Sequence, residues 1–233
     1  MKLVMDSLPA ILEAGLRYTI PLSVISFIIG IIIAVITALV RISNVKKGST
    51  FTRLLKIIGK AFFSFYVWLF RGTPLIVQMF ILFYGLPRLP APYTVEFGAF
   101  SAAVIVFSLN VGAYASETIR AAILSISKGQ WEAGYAIGMT HTTVLFRVIL
   151  PQAARVSLPP LSNSFIGLIK DTSLAFSITI VEMFSVGQQI AARTYEPMVL
   201  YCEVAVVYLV FCSILNVGQY YLEKRTSRYI KNT

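Results

Sequence analysis

Acidic residues and cysteines are both scarce here: ten Asp and Glu stand against twenty Lys and Arg, with two cysteines, in 233 residues. Only 13% of the chain is charged and 57% is hydrophobic. That excludes an ordinary soluble domain, in which about a quarter of the residues carry charge. Cys202 and Cys212 lie in one apolar segment, where a helix holds them roughly 15 Å apart, too far for a disulfide. The single histidine, His141, has no partners at metal-ligand spacing and reads as a polar residue at a helix end. No GxxxxGK[ST] loop, glycine-rich loop after a strand pattern, GxSxG, HExxH or CxxC occurs. The chain therefore has no recognisable nucleotide site, metal site or catalytic constellation, which argues against a membrane enzyme. No cleavable secretory signal is evident either, so the first apolar segment is expected to stay in the mature protein.

Long apolar runs take the place of all these. Candidate spans fall at about 19–40, 60–86, 97–119, 153–180 and 198–221, each long enough for roughly 30 Å of hydrocarbon. A net charge of +10 raises the question of nucleic acid, but the basic residues sit at the ends of apolar runs. Arg41, Lys46, Lys47, Arg53, Lys56 and Lys60 form one cluster, Arg120, Lys128, Arg147 and Arg155 a second, and Lys224, Arg225, Arg228 and Lys231 a third. This is the positive-inside pattern. It predicts an all-α, five-span membrane protein in one domain, with the N-terminus outside, the C-terminus cytoplasmic and no nucleic-acid partner.

Within that frame several segments stand out. Residues 3–16 put Val4, Leu8, Ile11, Leu12 and Gly15 on one helical face and Asp6 and Glu13 opposite, which predicts an interfacial helix interrupted by Pro9. The region 57–86 is longer than one crossing and is broken by Arg71-Gly72-Thr73-Pro74. It is either a long tilted span or an amphipathic elbow running into a span, with Arg71 near the inner boundary; the elbow is the preferred reading. In the third span Asn110, Tyr114 and Glu117 share a face, while Ser108, Gly112 and Ser116 form a ridge suited to close helix contact. A carboxylate inside a span needs a partner, and Arg71 at similar depth is the expected partner of Glu117. The fourth span carries Pro159, Pro160, Asn163, Gly167, Lys170 and Asp171, which suits a central helix against protein or a water-filled path. An external segment at about 188–197 precedes the last span.

The segment 127–151 is polar and helix-capable, between two apolar runs on the cytoplasmic side. Ser127 and Gln130 read as a capping box, Glu132 as a first-turn acid and Gly138 as the stop, predicting a surface helix at about 128–139. Glu132-Ala133-Gly134, then Gly138, then Val148-Ile149-Leu150-Pro151 resembles the EAA loop of bacterial ATP-binding-cassette (ABC) importer permeases. It departs from that pattern at Gly134, where the family has Ala, and at Val148, where it has Ile. The resemblance extends to FRGTPLIVQ at 70–78, AYASETIRAAI at 113–123, KGQWEA at 128–133 and LPQAARVSLPPLSNSFIGLIKDTSLA at 150–175. These are similar to the polar amino-acid uptake subfamily, of the histidine, glutamate, glutamine, arginine and opine type. The runs at 170–174 and 192–196 look most like cystine-type permeases.

The resemblance implies a MetI-like permease of the type I importers in the bacterial inner membrane, working as a pair with a second, identical chain. It implies two copies of a separate ABC ATPase that bind ATP-Mg, this chain holding no cofactor itself, and an extracytoplasmic solute-binding protein that delivers a polar amino acid. Cystine is the leading substrate, with arginine, glutamine or histidine as the alternative. On this reading Lys128, Trp131, Glu132, Ala133, Gly134, Tyr135 and Gly138 form the coupling helix. For Trp131 and Tyr135, packing on the subunit's own spans remains equally open. A zwitterion needs polar groups at membrane depth; the candidates are Thr73, Gln78, Asn110, Asn163, Lys170 and Asp171, each of which also suits a packing role. Lys170 and Asp171 offer both signs of charge but project roughly 100° apart on a helix, which suits one of them to the path. An ion-coupled secondary carrier would share the composition, but no internal repeat is visible.

Overall fold

The computed structural model describes residues 2–43 and 49–227, and the regular structure within them is helical. Lys46, Lys47, Arg228 and Lys231 of the basic clusters lie outside the described residues.

The N-terminal segment is not a separate helix. Helix α1 (Lys2–Ala14), a π turn (Gly15–Thr19) and α2 (Ile20–Ile42) form one run of 41 residues, with Pro9 inside α1. Of the expected apolar stripe, Ile11 and Gly15 are buried against protein. The buried side of α1 is Ser7, Ile11 and Ala14, whereas Leu8 and Leu12 stay 36% and 37% exposed. Ile11 packs with Met183, Val204 and Val207, and the Ser7 hydroxyl donates to the buried Glu203 carboxylate at 2.6 Å. Protein contacts thus hold α1 in line with α2.

The second apolar region is two helices. Helix α3 (Thr50–Gly72), capped by the Ser49 hydroxyl, runs to the break named by the sequence and turns 109° into a segment starting with α4 (Leu75–Phe80). Pro74 forces this: Thr73 before it is extended, at φ −123 and ψ 146, because the proline ring disfavours helical backbone there. The region over 60–86 is therefore bent by a sharp elbow, in keeping with the preferred of the two readings.

Helix α5 (Ala99–Ser125) is the most enclosed element, and α2 lies along it in the largest helix–helix interface. The small-residue ridge sits in that interface, with Ser108 and Ser116 buried. Helix α3 joins beside α2, where Tyr66 and Ile33 both meet Gly112 and the Tyr66 hydroxyl donates to the Leu109 carbonyl at 2.5 Å.

After the short helices α6 (Lys128–Ala136) and α7 (His141–Val144), a π turn (Leu145–Ile149) leads into α8 (Leu150–Asp171) and a 3-10 stretch (Thr172–Ile178). Pro159 and Pro160 lie within α8 without ending it. The chain then bends 52° into α9 (Met183–Thr194), so most of the expected external segment is helical. Glu182 caps α9, accepting from the Phe184 and Ser185 N–H groups and from the Tyr208 hydroxyl, each at 2.8 Å. Helix α10 (Pro197–Ser227) closes the bundle and carries both cysteines unpaired. Among the described residues, three helical runs are long and apolar enough to cross a membrane, or five if each bent pair is one crossing.

Candidate functional site

The polar helix α6 lies on the surface between α5 and α8, but its N-terminus is not a capping box. The Ser127 side chain makes no cap bond, and Gln130 turns away to receive the Gln152 side-chain amide of α8 at 3.3 Å. Glu132 is the fifth residue of α6, beyond the first turn that was expected for it. The stop is as expected, two residues beyond the helix end. Gly138 has φ +80, with Gly138 N–H donating to the Tyr135 carbonyl and Met139 N–H to the Gly134 carbonyl, both at 3.0 Å. This is a Schellman closure, which needs the left-handed backbone that glycine adopts freely.

Gly134 is buried against α7, where a Cβ would stand 2.6 Å from a methyl of Val144. The departure from the EAA pattern is thus matched by a valine filling the space of the missing methyl. Trp131 is half-buried, packs on the main core and stacks on His141 at 5.1 Å between centroids. Tyr135 is 44% exposed and its hydroxyl lies 2.7 Å from His141 Nδ1. Trp131 therefore belongs to the subunit's own packing, while Lys128, Glu132 and Ala133 are exposed. These three are on the outward side of α6.

A second candidate site lies among the helices. A cavity of about 400 Å³ opens between the start of α4, α5 and α8, with Thr73, Asn110, Tyr114, Ser164, Gly167 and Asp171 in its wall. Three of the six sequence candidates line it. Gln78 stands behind it: its amide N–H groups donate to the Phe70 and Thr73 carbonyls at 3.0 and 3.1 Å, and its oxygen receives Asn110 at 3.3 Å. It holds the elbow closed by satisfying carbonyls that the broken helix leaves open. Asn163 is exposed and does not line this cavity. Lys170 lines a different hollow of about 290 Å³, with Phe184, Tyr201 and Tyr208. Sequence reasoning missed Ser164 as a wall residue. The signal was there, since 164, 167 and 171 share a helical face.

The expected ion pair between Arg71 and Glu117 is not formed. The Glu117 carboxylate is held by Arg41 of α2 on one oxygen and by Arg120 on the other, the latter at 2.9 Å. Arg71 instead lies over the Tyr114 ring, 5.3 Å from its centroid. The α2–α5 interface carries Arg41 to Glu117, and depth along separate spans gave no sign of that register.

With this geometry in hand, likeness to known proteins is specific. Residues 48–228 match the family described as binding-protein-dependent transport system inner membrane component. The chain is 54% identical over 229 residues to the L-cystine transport system permease protein TcyB of Bacillus subtilis (strain 168), covering 98% of this chain and 92% of that one. It is 38% identical to the probable amino-acid ABC transporter permease protein PatM of Vibrio harveyi, covering 96% and 95%. Among solved structures, one described as the crystal structure of an amino acid ABC transporter with histidines superposes with a TM-score of 0.83 at 28% identity, covering 95% of this chain and 96% of the other. The MetNI methionine transporter in an inward-facing form gives a TM-score of 0.67 at 17% identity, a likeness of fold alone. The chain belongs to the binding-protein-dependent transport system inner membrane component family: it is an ABC importer permease subunit, not an enzyme, and ATP is hydrolysed on a separate chain.

Proposed function

We propose that this permease carries L-cystine inward as one of two identical chains, driven by two ATPase subunits that bind ATP-Mg and fed by an extracytoplasmic solute-binding protein. The observation that carries the substrate is the 54% identity, over nearly the whole chain, to a permease named for L-cystine. On this reading the outward face of α6, with Lys128, Glu132 and Ala133, enters the ATPase, and Tyr135 adds to its edge. Gly134 and Gly138 set the shape of that helix. The N-terminus lies outside and the C-terminus in the cytoplasm, in keeping with the basic residues at 120–155 and 224–225.

The substrate path runs through the cavity walled by Thr73, Asn110 and Asp171. An ammonium group of the amino acid meets Asp171, and the amide and hydroxyl take the remaining polar atoms. One observation favours a second reading: Asp171 is the sole ionisable carboxylate of that wall and Lys170 is turned to another hollow, which also suits a cationic amino acid. Both readings meet one experiment. The permease is reconstituted with its ATPase and binding protein, and ATP-dependent uptake of L-cystine is compared with that of arginine, glutamine and histidine. Cystine is expected to be taken up fastest; uptake of arginine or histidine without cystine would select the second reading.

A further inference from the structure

The face of α5 that carries Asn110, Tyr114 and Glu117 serves two cavities. Tyr114 is in the wall of both. On one side is the cavity with Thr73, Asn110 and Asp171. On the side nearer α6 is a second, of about 450 Å³, whose wall includes Arg41, Ser64, Trp68, Arg71 and Glu117. From Asn110 to Glu117 the helix advances roughly 10 Å, so a molecule leaving the first cavity toward the α6 end passes Tyr114 and enters the second.

The charges of the second cavity are unbalanced. Its one carboxylate, Glu117, is already held by Arg41 and Arg120. Arg71 forms no ion pair among the described residues and rests on the Tyr114 ring. A guanidinium with its fork free, beside apolar walls such as Val67 and Trp68, suits bidentate binding of a carboxylate. Tyr114 is tied to the same residue twice, through its ring and through its hydroxyl, which donates to the Arg71 carbonyl at 3.4 Å. The partition between the cavities and the free guanidinium are therefore one unit.

We propose that the second cavity is an inner station for the amino acid, in which Arg71 receives the α-carboxylate once the Tyr114 ring has been displaced. This rests on the transport reading above and adds a site to it. The reversal of charge is what makes the passage directional in chemistry: Asp171 holds the ammonium end in the first cavity, and Arg71 draws the opposite end into the second.

The test uses the complete importer in vesicles, comparing wild type with Arg71→Gln, Arg71→Lys and Tyr114→Ala. Labelled L-cystine taken up and phosphate released are measured together, giving amino acid moved per ATP. Arg71→Gln is expected to lower that ratio about tenfold, the low end for losing a hydrogen bond to a charged group. Arg71→Lys keeps the charge but loses the fork, so its ratio should fall between those of Arg71→Gln and wild type. An unchanged ratio in Arg71→Gln, or equal losses in both Arg71 variants, overturns the station. Should Arg71→Gln fail to assemble with the ATPase, Tyr114→Ala decides: without the partition, ATP-independent efflux from preloaded vesicles should rise several-fold, and no rise overturns the inference. Wild type that moves neither cystine nor arginine, glutamine or histidine rejects the transport reading itself, a result distinct from wild-type transport that Arg71→Gln equals.

Discussion

Lys170 and Asp171 are consecutive residues whose side chains enter different cavities, Asp171 beside Thr73 and Asn110, Lys170 beside Tyr201 and Tyr208. Their substitutions should therefore separate. Asp171→Asn is expected to lower uptake at limiting substrate by about tenfold or more, and Lys170→Met to leave it within about threefold. Initial rates in reconstituted vesicles check this; equal losses would mean that the two residues act together.

The Glu117 pairing predicts an order of stabilities. Arg41 and Glu117 each retain only 19% of their side-chain exposure. Arg41→Gln should cost about 2–3 kcal/mol, less than the roughly 3–5 of a fully buried pair, while Arg71→Gln should cost under about 1 kcal/mol because no ion pair is broken. Thermal unfolding in detergent measures both; the reverse order would restore the pair between Arg71 and Glu117.

How far these features could be read beforehand depends on their range. The helical, strongly apolar character of the chain and the stop at Gly138 follow from local hydropathy and backbone preference, so the sequence carried them directly. The elbow was marked by Pro74, but not its 109° turn, because that angle depends on Gln78 reaching back to Phe70 and Thr73. Arg41 was missed as the partner of Glu117 because the register of α2 on α5 is set by packing and not by either helix alone. The capping box failed for a similar reason: Gln130 had a competitor for its side chain in Gln152, twenty-two residues away. In the cavity, Asp171 and Asn110 were visible as costly polar groups, whereas Ser164 was too ordinary to attract notice before α8 had a face.

Gly134 gives a sharp steric prediction. Gly134→Ala would normally favour a helix by about 1 kcal/mol, but here the added methyl meets Val144. A net loss of about 1–3 kcal/mol is expected from overpacking, with Gly134→Ala/Val144→Ala recovering much of it. Thermal unfolding of the single and double variants, together with recovery of the ATPase on purification, reads the outcome. A single variant more stable than wild type would mean that α6 shifts freely on α7.

Glu132 is exposed, so replacing it should cost the isolated subunit less than about 0.5 kcal/mol. Glu132→Ala is nevertheless expected to reduce both ATPase co-purification and uptake. A variant that retains the ATPase and transports at the wild-type rate would remove Glu132 from the docking face.

Gln78→Leu should open the elbow. The change strips donors from the Phe70 and Thr73 carbonyls and should cost about 1–3 kcal/mol, seen as earlier thermal unfolding and faster proteolysis near 71–74. Equal protease resistance in the variant and wild type would show that Pro74 alone suffices.

The run from Lys2 to Ile42 has a further mechanical meaning. At 41 residues it is roughly 60 Å long, about twice a hydrocarbon layer. It is anchored near its beginning by Ser7 on Glu203 and near its end by Arg41 on Glu117. A strut pinned at both ends passes a shift at one anchor along its length to the other. The α9–α10 end of the subunit and the charged end beside α6 are thereby joined by a single continuous element.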